Sequence, residues 1–142
     1  MERPRIVIDT NVFVSALRSR NGASFKMLSL IGSRKFSFFI STPLVFEYEE
    51  AMKKDLSASR LSKSNIDEVL NYVCKIGNQQ EISYLWRPQL RDPEDDFILE
   101  LAVQSQCDFI VTHNLRDFLG AERFGIKAVS PGHFLRKIGE NK

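Results

Sequence analysis

Apolar residues fall into two alternating patterns along the chain. Short runs that are apolar almost throughout occur at 5–8 (Arg-Ile-Val-Ile), 36–40 (Phe-Ser-Phe-Phe-Ile), 109–112 (Phe-Ile-Val-Thr) and 127–129 (Lys-Ala-Val). That composition is expected of strands covered on both faces. Between the runs, apolar positions recur at intervals of three and four: Val12, Ala16 and Leu17; Phe25, Leu28 and Ile31; Ile66, Val69, Leu70, Val73 and Ile76; Ile98, Leu99, Ala102 and Val103. Each set predicts a helix with one face turned to a core. Residues 81–85 suggest one more short strand, and Pro131-Gly132-His133-Phe134-Leu135 opens a terminal helix. Strands alternating with amphipathic helices predict an α/β sandwich around a mostly parallel sheet.

Capping residues set the expected boundaries. Thr10 or Asn11 can cap the first helix, and Asn21-Gly22 breaks it. Gly32 suits the C′ position of the second. Thr42 can accept from the orphan amides of the third helix, with Pro43 at its first position. Ser64 with Asp67 resembles a capping box for the fourth, and Gly77-Asn78 ends it. Asp92-Pro93 repeats the cap-then-proline pattern before the Ile98 helix. No repeat, linker or low-complexity stretch divides residues 1–142, so one domain is expected.

Composition narrows the class. Hydrophobic residues make up 43% and charged residues 27% of 142 residues, which excludes fibrous and disordered chains. No run approaches the roughly 20 apolar residues of a membrane span, and the charged N-terminus lacks a signal-type apolar stretch, so the cytoplasm is the expected compartment. Cys74 and Cys107 form no C-x-x-C pair and are expected as reduced core thiols. The net charge of +2 says little by itself. Removing four neutralised carboxylates from 18 acids would leave 14 against 20 bases, a mild bias toward a polyanionic partner.

Those four are Asp9, Glu47, Asp95 and Asp117. In open parallel sheets, ligands bind beyond the carboxyl ends of strands. Asp9 and the 114–117 segment follow two such ends, Glu47 lies one turn into the helix after another, and Asp95 lies in the first turn of the Ile98 helix. All can reach one crevice. Two carboxylates about 4 Å apart repel by roughly 4 kcal/mol at an effective dielectric near 20, so the cluster needs compensation. An acid-rich, oxygen-only set with little histidine favours a hard cation, Mg²⁺ or Mn²⁺, over proton sharing. Such an ion acidifies water and offsets charge on a phosphoryl transition state, which is what phosphodiester hydrolysis requires.

The segments Ile8-Asp9-Thr10-Asn11-Val12, Thr42 through Glu47, Asp92-Pro93-Glu94-Asp95-Asp96 and Thr112-His113-Asn114-Leu115-Arg116-Asp117-Phe118 together resemble the PIN domain family. The resemblance extends to Ser130-Pro131-Gly132-His133-Phe134-Leu135. It implies a three-layer fold with a five-stranded parallel sheet, order 3-2-1-4-5, and a Mg²⁺- or Mn²⁺-dependent nuclease site. Asp9 matches the first family acid, Glu47 the second and Asp95 the third, seven residues before the helix alanine Ala102; Asp96 competes with Asp95. The fourth acid is split in this family between the positions of Asn114 and Asp117. Here the acid stands at 117, which implies contact with the metal through water at that corner. Small members are often endoribonuclease toxins of toxin-antitoxin pairs and homodimers, so RNA, an antitoxin and a second copy are the implied partners.

Each assignment has a plainer counterpart. Asp9 could cap the helix after it, Glu47 could be a solvated surface acid beside Glu49 and Glu50, and Asp117 could cap the Phe118-Leu119 turn. Asp95 and Asp96 would both be favoured at a helix N-terminus regardless of metal. Thr10, Asn11, Thr112 and Asn114 are expected in support, orienting water or the Asp9 carboxylate. His113 and His133 read as surface residues, with phosphate contact the minor alternative. Trp86, Arg87 and Arg91 could grip RNA or simply pack. Against the ribonuclease stands a catalytically inactive PIN-like binding or scaffolding module, which Asn114 would permit. A phosphate-accepting receiver domain has no matching acidic pair or late lysine.

Overall fold

The computed structural model describes residues 3–55, 62–81 and 93–140. Five strands form one parallel sheet in the order β3-β2-β1-β4-β5: β1 (Arg5–Ile8), β2 (Ser37–Ile40), β3 (Asn78–Gln79), β4 (Phe109–Val111) and β5 (Lys127–Val129). The helices are α1 (Thr10–Arg18), α2 (Ala23–Ser29), α3 (Thr42–Lys54), α4 (Lys63–Ile76), α5 (Pro93–Gln104) and α6 (Pro131–Lys137). The anticipated α/β architecture and strand order are therefore observed. In register, Ile6 pairs with Phe38 and Phe109, Ile8 with Val111, and Ile110 with Ala128. Ile6, Val7, Ile8, Ile40, Ile110 and Val111 are buried, as strands covered on both faces demand.

The helices pack apolar stripes onto these strands. Phe13 of α1 meets Tyr48 of α3 with ring centroids 4.0 Å apart, and the Tyr48 hydroxyl donates to the Ile8 carbonyl at the end of β1. The contact fixes the rotation of α3 about its own axis. Phe134 of α6 sits edge-on to Phe36 and Phe109 across the sheet.

Several local expectations are corrected. Asp9 itself, not Thr10 or Asn11, caps α1 by accepting from the Thr10 amide. Ser41, one residue before Thr42, caps α3 by accepting from Leu44 N. The capping box of α4 is Ser62 with Asn65, not Ser64 with Asp67. In each case the oxygen used is the one whose residue leaves the extended backbone region before the helix, which the next candidate along cannot do from inside the first turn. On α2, Met27 and Ser24 turn inward; of the expected 25–28–31 stripe, Ile31 is buried and Leu28 packs against the core, but Phe25 is 41% exposed. Cys107 is buried, but Cys74, one turn beyond the buried Leu70 on α4, is exposed.

The third strand of the sheet lies at Asn78–Gln79, immediately after Gly77; of the strand expected over 81–85, Glu81 is not in a strand and residues 82–85 lie outside the described residues. Asp92, Trp86, Arg87 and Arg91 are likewise outside them. After β4 the chain forms a 3₁₀ segment, Leu115–Phe124, bent at Phe118 and closed by Gly125 at φ 76°. Among the described residues, no helix is long and apolar enough to cross a membrane.

Candidate active site

The ladder continues one residue past the strand ends, with Asp9 N donating to Val111 O and Thr112 N to Val129 O, each at 2.9 Å. Those bonds fix Asp9 and Thr112 side by side at the carboxyl edge of the sheet. There Thr112 Oγ1 donates to Asp9 Oδ2 at 2.7 Å, and the Thr10 amide donates to Asp9 Oδ1 at 2.7 Å. Both carboxylate oxygens are thus oriented. Thr112 Oγ1 also accepts from the Asn114 amide at 2.9 Å and, more distantly, from Asn11 Nδ2 at 3.4 Å. Asn11 Oδ1 in turn accepts from the His113 amide at 3.2 Å. Asn11 therefore ties α1 to the segment after β4 and does not cap the helix.

A cleft of about 520 Å³ opens over this edge, lined by Asp9, Thr10, Asn11, Val14, Ser15, Arg18, Glu47, Ala51, Asp95, His113, Asn114 and Asp117. All four acids singled out from the sequence line it, as do Thr10, Asn11 and Asn114. Glu47 reaches it because α3 is anchored by the neighbouring Tyr48, and Glu47 Oε1 accepts from Thr10 Oγ1 at 2.7 Å. Asp95 faces it from the first turn of α5, and Asp117 from the 3₁₀ segment. Asp96 does not line it; its side chain is buried, as is that of Glu100 one turn further along α5. Thr112 lies fully buried beneath.

Burial pushes the Asp9 carboxyl above the ordinary aspartate range, and the charge of Asp117 adds to the rise; the bonds from Thr112 and Thr10 and the proximity of His113 oppose it. Burial, with Asp9 and Glu47 close by, holds Tyr48 well above the usual phenol range, so it stays a neutral donor. Arg18 lines the cleft but is clasped by Asp55 through bonds of 3.0 and 2.8 Å, and that pairing lowers the Asp55 carboxyl.

A divalent cation suits this donor set in kind: carboxylate, hydroxyl and amide oxygens dominate, and the charge of Asp117 adds to the rise of the buried Asp9 carboxyl. Among the described residues, no three His, Cys, Asp or Glu side chains close on one point. A loose arrangement of this type fits an ion that keeps several waters and takes only one or two carboxylates directly, as Mg²⁺ does, more than a dehydrated cage.

Arg18, Ser15, Val14 and Ala51 went unremarked in the sequence reading. Their signal is helical spacing: positions 14, 15 and 18 share a face with Asn11, and 51 follows Glu47 by one turn.

A family model described as PIN domain matches residues 5–116. Among solved structures, VapBC2 from Rickettsia felis bound to a DNA fragment from their promoter aligns over 89% of this chain and 98% of the other, with TM-score 0.56 and 16% sequence identity. At that identity the likeness is one of fold. No curated protein matches the chain.

Proposed function

The chain belongs to the PIN domain family, whose members are generally nucleases working with divalent metal ions, and on that footing we propose that it is an endoribonuclease using Mg²⁺ or Mn²⁺. The observation carrying this reading is the convergence of Asp9, Glu47, Asp95 and Asp117 from four separate elements on one cleft. These four would hold the ion. Bound there, the ion would neutralise the cluster, lower the pKa of water and offset charge gathering on the phosphate.

The protein's own part is orientation. Thr112 and the Thr10 amide hold the two Asp9 oxygens in one rotamer, Thr10 Oγ1 does the same for Glu47, and Asn11 keeps the β4 end against α1. Groups fixed in this way need little rearrangement when a phosphodiester enters, which is where catalysis by positioning gains its advantage. No side chain is required as nucleophile. Water adds to phosphorus, and one ester oxygen leaves.

We read the biological role as the toxin of a toxin-antitoxin pair, with an antitoxin protein as partner and a homodimer as the working form. Similarity in fold to VapBC2, which was solved with DNA from their promoter, supports that role. A small reading frame adjoining the gene would support it further. The second reading, an inactive binding or scaffolding module, draws on one observation: Asn114 presents a neutral amide to the cleft.

The test is cleavage of a single-stranded RNA with Mn²⁺, with and without chelator, by wild type and Asp9→Asn. Loss of about a hundredfold or more in Asp9→Asn, and of all activity in chelator, is expected. Equal rates in the two proteins would sink the assignment. Tight RNA binding with no cleavage and no divalent-ion uptake by calorimetry would instead favour the module.

A further inference from the structure

The acids explain how an ion could be held, but they repel the phosphates of an incoming strand. Among the described residues, the basic side chains lining the cleft are Arg18 and His113. Arg18 is engaged by Asp55 through both of its donor nitrogens nearest that carboxylate. His113 is different: its ring is exposed at the cleft, and its Nε2 lies 2.7 Å from the hydroxyl of Ser24, a residue only 3% exposed in α2. A buried hydroxyl is thus spent on fixing the ring of a surface histidine. The backbone of His113 is fixed as well, by its bond to Asn11.

We propose that His113 is a substrate-binding residue that donates from Nδ1 to a phosphate of the RNA strand adjoining the one cleaved, and that Ser24 is its positioning residue. The proposal rests on the ribonuclease reading above. With the Ser24 hydroxyl donating to Nε2, a neutral ring carries its proton on Nδ1; a charged ring donates from both nitrogens. With the Ser24 hydroxyl donating, or with the ring charged, Nδ1 is a donor matched to a phosphate oxygen. The ring follows Thr112 directly, so the contact is tied to the same strand end that sets Asp9.

Steady-state cleavage of a single-stranded RNA with Mn²⁺ decides it, using wild type, His113→Ala, Ser24→Ala, the double variant and His133→Gln as a control. A charge-assisted bond to phosphate lost without loss of chemistry predicts about a tenfold rise in KM for His113→Ala, with kcat within about threefold of wild type. Ser24→Ala should raise KM part of the way and add nothing to His113→Ala, whereas a merely structural serine would add independently. His113→Ala should keep the wild-type melting temperature. Unchanged KM in His113→Ala, or additive effects in the double variant, would overturn the proposal and leave the nuclease standing. A wild type that cleaves no RNA would overturn both.

Discussion

At the scale of single residues, the site depends on which donors hold Asp9. Its carboxylate is buried and oriented by Thr112 and by the Thr10 amide. Thr112→Val removes the hydroxyl while keeping the shape, so Mn²⁺ affinity measured by calorimetry should fall about 10- to 100-fold, as it does when a metal ligand loses its supporting partner. Asp9 stood out in the sequence because an acid directly after a buried strand is conspicuous. Its capping of α1 was open from the sequence only as one choice among three, because Thr10 and Asn11 offer the same chemistry and only the backbone angles of the turn choose between them. Asp95 and Asp96 show the same limit. Adjacent helix positions point about 100° apart, so one faces the cleft and the other the interior, but which is which depends on the rotation of α5.

At the scale of elements, α3 matters most, since it carries Glu47 and is locked by the Tyr48 hydroxyl on Ile8 O. Tyr48→Phe should lower stability to urea by about 1–3 kcal/mol, the cost of leaving a buried carbonyl without its donor. Its effect on catalysis should exceed that of an equally destabilising change on α4, because Glu47 would lose its bearing on Thr10. On α4, Ser62→Ala removes a capping box and should cost about 1 kcal/mol with RNA cleavage unchanged. Long, periodic elements such as α4 and the buried strands were legible from their apolar spacing. The two-residue β3 and the 3₁₀ segment were not. Asn78–Gln79 has no apolar signature, and its strand character comes from pairing with Phe39 and Ile40. The 3₁₀ segment is set by packing of Phe118 and Ala121 and by the left-handed turn at Gly125.

At the scale of the whole molecule, the buried acid at the cleft makes stability depend on pH. The folded-state pKa of Asp9 is raised, so the folded protein holds that proton more firmly than the unfolded chain. The corresponding stability is present below the ordinary aspartate range near pH 4 and is lost as pH rises through the raised value. In chelator at pH 7, Asp9→Asn should therefore melt higher than wild type, and the gap should close on acidification below about pH 4. Added Mn²⁺ should raise the melting temperature of wild type and leave Asp9→Asn nearly unmoved, since an ion stabilises only the fold it binds. The edge on which the cleft lies follows from parallel α/β topology and the sheet order was implied by the family resemblance, whereas side-chain orientations depend on packing that neither specifies. The central claim, that the four acids form one divalent-metal site, is tested most directly by anomalous scattering from crystals grown with Mn²⁺. The account predicts a manganese peak in the cleft in contact with Asp9 and within reach of Glu47, Asp95 and Asp117. Manganese bound elsewhere, with this cleft empty at saturating Mn²⁺, would contradict it.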